Sequence, residues 1–505
     1  MATVPLPDWP WQVVRRLARA RGVRVWVVGG AVRDLLLERA VHDWDFAVDR
    51  GALRLARAVA DELGGAYFPL DKERGAGRVV LSPSTRLEAG LADEPRLALD
   101  FAALRGADLE TDLRARDFTV NALALGEMSV LVDPTGGQAD LAARRIRAAS
   151  ERAFRDDPAR LLRAVRVAAE LGFEIEPQTA AWIRRDASRV ALPSAERLRD
   201  ELARTLALQG AAAHLRRLDE FDLLSPLLPE LEPLKRVTQS PPHRFDVWQH
   251  TLLTIDALEG VVAVATGRQA ESPVLVDVPP AAWGDLARVI GQFSGDVAAH
   301  LSVQVSGGRD RALLLKLAAL LHDVGKPKTR SQGDDGRIHF HNHERVGAQM
   351  ASARLQALRF SRDEQERAWV IIGQHLRPGH LARAERVTRR AIYRYFRATA
   401  CAGVDVVLLS LADHLATWGP DLKERRWGRR LDVAQTLLAH WFERHEETVA
   451  PPPLITGDDL MDELGLEPGP EIGRLLEAVR EAQAAGEVTT PEEALALAAR
   501  LATAA

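Results

Sequence analysis

Cysteine is nearly absent: Cys401 stands alone in 505 residues, so no intrachain disulfide can staple the fold. No apolar run reaches the ~20 residues that a membrane-spanning helix needs, and even Leu313–Leu321 is short and lies between charges. Met1–Arg21 lacks the charged, apolar and small-residue order of a secretory leader. These absences predict a soluble protein of the reducing cytoplasm. No repeat of fixed period appears, which sets aside solenoids and propellers. A net charge of −4 argues against indiscriminate polyanion binding. The charge is uneven, however: residues 142–217 carry sixteen Arg and no Lys against ten acids, a local balance of +6. That stretch is the best candidate for touching phosphate.

At about 100–200 residues per domain, the length predicts three or four domains. Through roughly residue 140, short β-branched runs (Arg24–Val28, Phe46–Val48, Arg78–Leu81, Leu97–Phe101, Val130–Val132) alternate with helical patterns, the mark of an α/β unit. Beyond it strands nearly vanish. Pro158–Arg217 reads as amphipathic helices broken at Pro177 and Pro193. The Pro-containing Leu227–Pro242 reads as a linker into a His-rich helical region that ends near Glu447. Val261–Pro280, without clear periodicity, reads there as a loop or insertion. After Pro451–Pro453, Thr456–Ala505 forms a small acidic helical tail. The expected class is multidomain α+β: an α/β head with a small mixed sheet, then all-α parts.

The chemistry begins at Val25–Val28, a buried-strand run that ends in Gly29-Gly30 and is followed by helix-forming Ala31–Leu37. Glycines at a strand-to-helix turn let backbone N–H groups approach an anion, and Arg33 can donate to phosphate in bidentate fashion. This is not a P-loop, because G-x-x-x-x-G-K-[ST] is missing. In His42-Asp43-Trp44-Asp45-Phe46-Ala47-Val48 the aspartates alternate with large apolar residues, so on a strand Asp43 and Asp45 share a face. Two carboxylates about 7 Å apart call for a divalent cation, and hard oxygen ligands suit magnesium. On these residues alone, a pair of solvated turn aspartates is an equally good reading.

Gly29-Gly30-x-x-Arg33-Asp34, followed nine residues later by Asp43-x-Asp45, resembles the signature of class II nucleotidyltransferases, the bacterial CCA-adding enzymes and poly(A) polymerases. Further motifs follow in that family's order. Arg116-Asp117-Phe118-Thr119-Val120-Asn121-Ala122-Leu123 is similar to R-R-D-F-T-h-N-A-h, with Ala115 in place of the first Arg. Asp133–Gly137 with Asp140-Leu141 and Ile146-Arg147 is similar to the hinge segment. Asp156-Asp157-Pro158-Ala159-Arg160, with Arg163 and Arg166 behind it, resembles E-D-x-x-R with Asp for Glu, and Glu196–Leu202 resembles the last motif. The resemblance covers about Arg24–Leu228. It implies magnesium at Asp43 and Asp45; Asp100 offers a third carboxylate, although a strand-end Asp is more often merely solvated. It also implies nucleotide binding by Gly29, Gly30, Arg33, Asp34, Arg116, Asp117 and Asn121, and base selection by Asp157 and Arg160 through hydrogen-bonding edges. Arg163 and Arg166 would hold phosphate or tRNA. Residue by residue, Asp157 before Pro158 also fits a helix N-cap, and Asp157 with Arg160 an i,i+3 surface pair.

Family enzymes that build the whole CCA end carry a flexible polar loop after the strand that here reads Leu97–Phe101. Ala102–Asp108 is too short to hold it, which resembles the CC-adding subgroup and implies addition of cytidines from CTP, with ATP and full CCA addition open. A separate A-adding enzyme is then an implied partner. Downstream, His250, His322-Asp323, His343, His375 and Asp413 resemble the H…HD…D ligand order of the HD metal-dependent phosphohydrolases. Their mixed N/O donors suit a divalent transition metal or magnesium. His339, His341 and His343 alternate in a turn-like segment, with His343 the best extra ligand. Gly325 and Lys326 suit a phosphate-facing turn. The implied domains are a catalytic head at 1–147, a helical neck and body for nucleotide selection and tRNA binding at 148–235, an HD domain at 236–450 and a helical tail at 451–505. The tail resembles C-terminal segments of related enzymes, which implies tRNA contact, and a capping helical hairpin is nearly as good a reading. Rival readings are a poly(A) polymerase, disfavoured by that acidic tail, an HD phosphohydrolase with a non-catalytic RNA-binding front half, and a non-catalytic RNA-binding or maturation factor.

Overall fold

The structure, a computed structural model, describes residues 8–41, 43–81, 98–127, 129–268 and 277–503. His42, Leu97, residues 269–276 of the expected insertion and the first residues of Met1–Arg21 lie outside them. The chain forms two compact units, Met1–Pro193 with Phe221–Leu223, and Ser194–Glu220 with Leu224–Ala505.

The first unit is built on a seven-stranded sheet in the order β3-β4-β5-β2-β1-β6-β7. Its strands are β1 (Val25–Val28), β2 (Asp43–Val48), β3 (Ala66–Asp71), β4 (Ala76–Val80), β5 (Ala98–Ala103), β6 (Ala124–Leu125) and β7 (Leu131–Val132). Only β2 and β5 run parallel, so the sheet is mixed as expected. β3 and β6 have no clean alternation and escape a sequence reading. Alternation along β2 decides the architecture: Trp44 and Phe46 are buried, and Phe46 stacks on Phe101 at 4.9 Å and on Trp11 at 6.5 Å. Each buried aromatic contributes about 1.5–3 kcal/mol, which fixes this face inward and forces Asp43 and Asp45 onto the other.

Helices follow the sheet in this unit. Arg160–Leu171 buries Leu161, Leu162, Val165, Val167 and Leu171 and ends at Gly172, whose φ of 65° is the left-handed stop that glycine adopts without strain. Pro177 opens the next helix, Pro177–Asp186, where its missing N–H costs nothing. The breaks at Pro177 and Pro193 are where the sequence puts them.

In the second unit the expected linker is a packed element. Leu224–Leu227 is helical and Pro229–Arg236 forms a 3-10 helix, with Leu228, Leu231 and Leu234 buried. Leucines every third residue match the 3-10 repeat, which prolines permit, so apolar burial overrode the proline signal. The expected insertion is likewise part helix: Val247–Ala265 continues through Val261, Val264 and Ala265, all buried, and a new helix starts at Pro280. Val247–Ala265 packs on Gly403–Trp418 and Arg311–Leu321, and His343–Ala357 packs on Arg362–Gln374. One described stretch, Arg389–Asp421, has the length and hydropathy of a membrane span, but 78% of its apolar window is buried inside this bundle. The tail is a three-helix cluster, Gly457–Leu464, Pro470–Ala485 and Pro491–Thr503, around Leu460, Leu475 and Val479. The tail is helical as expected, with one helix more than the alternative hairpin reading.

Candidate active site and metal cluster

Register brings the first site together. Asp45 on β2 lies directly opposite Asp100 on β5, and Asp43 opposite Ala98, so Asp43, Asp45 and Asp100 share the face turned away from the aromatic core. On β4, Arg78 lies opposite Asp100 and donates through Nε and Nη2 to its two oxygens, each at 2.7 Å. Burial pushes the Asp45 carboxyl up to about 6, and the charges of Asp100 and Asp43 push the same way against Arg116 and Arg78. A carboxylate so short of positive charge is what a divalent cation compensates, so these residues fit the magnesium expected of them.

Beside Asp45 the turn after β1 needs its glycine twice over. Gly29 has φ +74°, and a Cβ there would lie 2.9 Å from Arg116 Nη1 and 3.2 Å from Asp45 Oδ2. Arg116 is aimed by Asp112, whose Oδ2 accepts from Nε at 3.2 Å while its Oδ1 accepts from the Arg105 N–H at 3.0 Å. Arg33 is buried with its donors in use: Nε and Nη2 reach Asp34 at 2.9 Å each, and Nη1 reaches Asn121 Oδ1 at 2.9 Å. Asn121 Nδ2 donates to Asp117 Oδ1 at 3.1 Å, and Arg163 Nη1 donates to Asp117 Oδ2 at 3.4 Å. Burial pushes Asp117 up, but Arg163, Arg160 and the Phe118 N–H outweigh it and hold it below the usual carboxylate range. The chain Asp34–Arg33–Asn121–Asp117–Arg163 thus ties three sequence motifs into one wall.

Asp157 and Arg160 are brought together, with 3.8 Å between Oδ2 and Nε, but their roles differ. Arg160 is buried, donating to the carbonyls of Ala115 at 2.9 Å, Arg116 at 3.1 Å and Ala153 at 3.3 Å. Asp157 is more open and accepts from the Ala159 N–H at 3.3 Å, a local turn bond just before the helix, whose N-cap is Ala159. Arg166 pairs with Glu170 at 2.9 Å, and Glu170 approaches Arg33 at 3.9 Å.

The second site lies in the helical unit. Among the described residues two groups of ligand atoms converge within 4.8 Å: His250, His322 and Asp413, and Asp323, His343 and His375. The Nδ1 atoms of His322, His343 and His375 each face a backbone carbonyl, of Ala319 at 2.7 Å, Phe340 at 2.8 Å and Ile372 at 2.7 Å. A proton fixed on Nδ1 leaves each Nε2 lone pair aimed at the cluster. His322 Nε2, His343 Nε2 and Asp323 Oδ1 are buried without a hydrogen-bond partner, which fits a metal ion. Burial, with His322 and His343 nearby, pushes His375 down to about 3 and so keeps it neutral. Lys326 Nζ lies 2.7 Å from Asp323 Oδ2, and a cavity of about 820 Å³ opens over the cluster, with Arg337, Arg383, Arg426, Arg429 and Arg430 in its wall. Lys326 lines the cavity, while Gly325 is also required for packing: a Cβ there would lie 2.1 Å from the His343 carbonyl oxygen. Its bareness lets His343 reach Asp323, 3.3 Å away.

Residues 25–147 match the family described as the poly A polymerase head domain, and residues 172–235 the probable RNA and SrmB-binding site of polymerase A. Residues 286–418 match the HD domain and 437–499 a putative tRNA nucleotidyltransferase domain 2. An A-adding tRNA nucleotidyltransferase of Deinococcus radiodurans is 37% identical over 94% of this chain and 94% of its own length. The chain belongs to the tRNA nucleotidyltransferases. CC-adding tRNA nucleotidyltransferases of Thermus thermophilus and Geobacter sulfurreducens are 34% and 33% identical, over 93% and 97% of this chain and 92% and 94% of theirs. A solved complex of a CCA-adding enzyme with ATP has the same fold, with a TM-score of 0.61 at 20% identity over 99% of this chain and 97% of that one.

Sequence reasoning missed several residues of this nucleotidyltransferase. Arg78, Asp112 and Glu170 became visible only through register and packing. In the helical unit His243 meets His250 edge-on at 4.9 Å, and Gln239 accepts from Lys326 at 2.7 Å. Both lie in the stretch read around the linker, where no periodic signal marks them.

Proposed function

We propose that this nucleotidyltransferase adds cytidines to the tRNA 3′ end from CTP without a template. The observation that carries the reaction is the co-facial set Asp43, Asp45 and Asp100 beside Gly29 and Arg116. The 3′-hydroxyl oxygen of tRNA forms a bond to the α-phosphorus of CTP, the α–β P–O bond breaks, pyrophosphate leaves, and the hydroxyl proton passes to solvent. Asp43 and Asp45, with Asp100 beside them, would hold magnesium, which would supply a lowered hydroxyl pKa and offset triphosphate charge. Arg116, held by Asp112, lies across Gly29 where the triphosphate is placed. Gly30, Arg33, Asp34, Asp117 and Asn121 form the wall that orients nucleotide and sugar. Asp157 offers its carboxylate to the base amine, and Arg160 ties the segment that carries Asp157 to the head. Arg163 and Arg166 lie on the arginine-rich face proposed for tRNA phosphate.

Selectivity for CTP rests on the connector. Residues 104–108 alone join β5 to the helix Leu109–Arg114, and Asp108 caps that helix by accepting from the Thr111 N–H at 2.8 Å. So tight a link holds no mobile loop to re-aim the base-reading wall for ATP once two cytidines are in place. A second reading, terminal A addition, is favoured by the Deinococcus radiodurans relative. Purified protein with tRNA lacking its end, given CTP or ATP separately and together, separates them by product sequencing. Two cytidines and no A support the proposal. Addition of A alone or of a complete end overturns the selectivity, and no extension at all overturns the reaction.

We further propose the division of labour 1–147, 148–235, 236–450 and 451–505, as head, neck and body, HD domain and tail, in a cytoplasmic enzyme that leaves the final A to a separate protein. The orphaned ligand atoms and the arginine-walled cavity support hydrolysis of a phosphate ester at His250, His322, Asp323, His343, His375 and Asp413, with a transition metal or magnesium bound there.

A further inference from the structure

The residues assigned above to the incoming nucleotide all lie to one side of Asp45. Gly29 follows β1, Arg116 and Asn121 lead into β6, and Arg163 meets them from the neck. On the other side, toward β5, β4 and β3, the same face of the sheet carries an unbroken cross-strand row: Asp45 opposite Asp100, Asp100 opposite Arg78, Arg78 opposite Phe68. Directly opposed residues share a face, so the Phe68 ring stands on the face of the catalytic carboxylates. It is 50% exposed, beside Leu70 at 56%, on an edge strand. At about 4.8 Å per strand, Phe68 lies roughly 10 Å from Asp100 and roughly 14 Å from Asp45, within reach of the last nucleotides of a strand whose 3′-oxygen sits at the carboxylates.

An exposed aromatic on an edge strand can also invite another protein strand, but this edge is built against that. Pro69 offers no N–H, and the ladder is broken by a bulge between Pro69 and Asp71. What remains is an aromatic face next to a guanidinium, Arg78, the pairing that single-stranded nucleic acid stacks on and docks its phosphate against.

We propose that Phe68 is a stacking platform for a base at the 3′ end of the tRNA primer, with Arg78 beside it for the adjoining phosphate. This rests on the nucleotidyltransferase reading and adds to it the side from which the primer enters. The test uses the full-length protein, tRNA lacking its end, and saturating CTP and magnesium. Phe68→Ala is expected to raise the KM for tRNA about tenfold, the effect of one lost base–aromatic stack, and to leave the KM for CTP within about twofold. Phe68→Trp is expected to restore tRNA use, and Phe68→Leu, equally apolar but without a π-face, to fall with Ala. Independent of turnover, 2-aminopurine at the primer 3′ end is expected to be quenched by wild type and Phe68→Trp, and less by Ala or Leu. Phe68→Leu behaving as wild type, unchanged quenching in all variants, or a change of oligomeric state in Phe68→Ala overturns the platform. If wild type quenches the probe yet never extends the primer with CTP, the platform stands and the reaction reading falls. If it extends normally and Phe68→Ala is indistinguishable, only the platform falls.

Discussion

Asp45 holds its charge against its surroundings, and that has a measurable cost. Its carboxyl, raised to about 6 by burial and by Asp100 and Asp43, binds a proton more tightly when folded than the ordinary value of 3.8 allows. For this group the folded metal-free chain is favoured below pH about 4, and the advantage is lost as pH rises through 6. Asp45→Asn removes that loss. In EDTA at pH 7.5 it is expected to be more stable to urea than wild type by about 1–2 kcal/mol, discounted because the carboxylate is partly open to solvent. Magnesium should stabilise wild type but not the variant, and nucleotide addition should vanish. A variant less stable than wild type in EDTA would show that Asp45 holds the fold instead. Gly325 makes the opposite case, a residue without chemistry that a site depends on. Gly325→Ala puts a methyl 2.1 Å from the His343 carbonyl oxygen, so it should cost about 2 kcal/mol or more and lower the metal content of the purified protein. CTP addition should persist, and full metal occupancy in the variant would contradict the packing role.

Among the elements, β2 was legible because its alternation is local: Trp44 and Phe46 on one face leave Asp43 and Asp45 no choice. The helix Arg160–Leu171 was legible as a helix, but not in what Arg160 does. Its guanidinium spans three carbonyls on two segments, two of them reached by packing across more than forty residues of chain and absent from any local pattern. Arg160→Lys keeps the charge and cannot satisfy all three. It is expected to lower kcat/KM for CTP about 10–100-fold, with a stability loss of about 2 kcal/mol, and to relax discrimination between CTP and UTP as Asp157 loosens. Unchanged base discrimination alongside lost stability would mean that Arg160 only braces the fold. Asp100 shows the same limit. Its place in the sequence was visible, but the partner Arg78, twenty-two residues earlier, follows from β4–β5 register alone. Leu227–Pro242 failed for a related reason, since proline marks where an α-helix stops but says nothing of a 3-10 turn held by buried leucines.

On the scale of the whole molecule, two candidate metal-ligating donor sets occur in one chain, in different compact units. The proposed ligands of the head are carboxylate oxygens, which suit a hard cation such as magnesium; the helical cluster adds four imidazoles, which suit transition metals held more tightly. The H…HD…D order was readable because His250 and Asp413 lie within long apolar helices and His322-Asp323 directly follow the apolar run Leu313–Leu321, whereas Gln239 was lost in the supposed linker and His243 just beyond it. The difference in hardness gives a prediction for the intact enzyme. Brief exposure to a chelator followed by desalting should strip the head and leave the cluster loaded, so CTP incorporation should stop and return with added magnesium while bound transition metal, counted by mass spectrometry, stays constant. Asp323→Ala should do the reverse: lose the cluster's metal and any phosphate-ester hydrolysis, and keep CTP incorporation within about twofold, because that residue touches none of the head's ligands. Joint loss of both activities in Asp323→Ala, in protein still folded by circular dichroism, would mean that the two sites do not work independently.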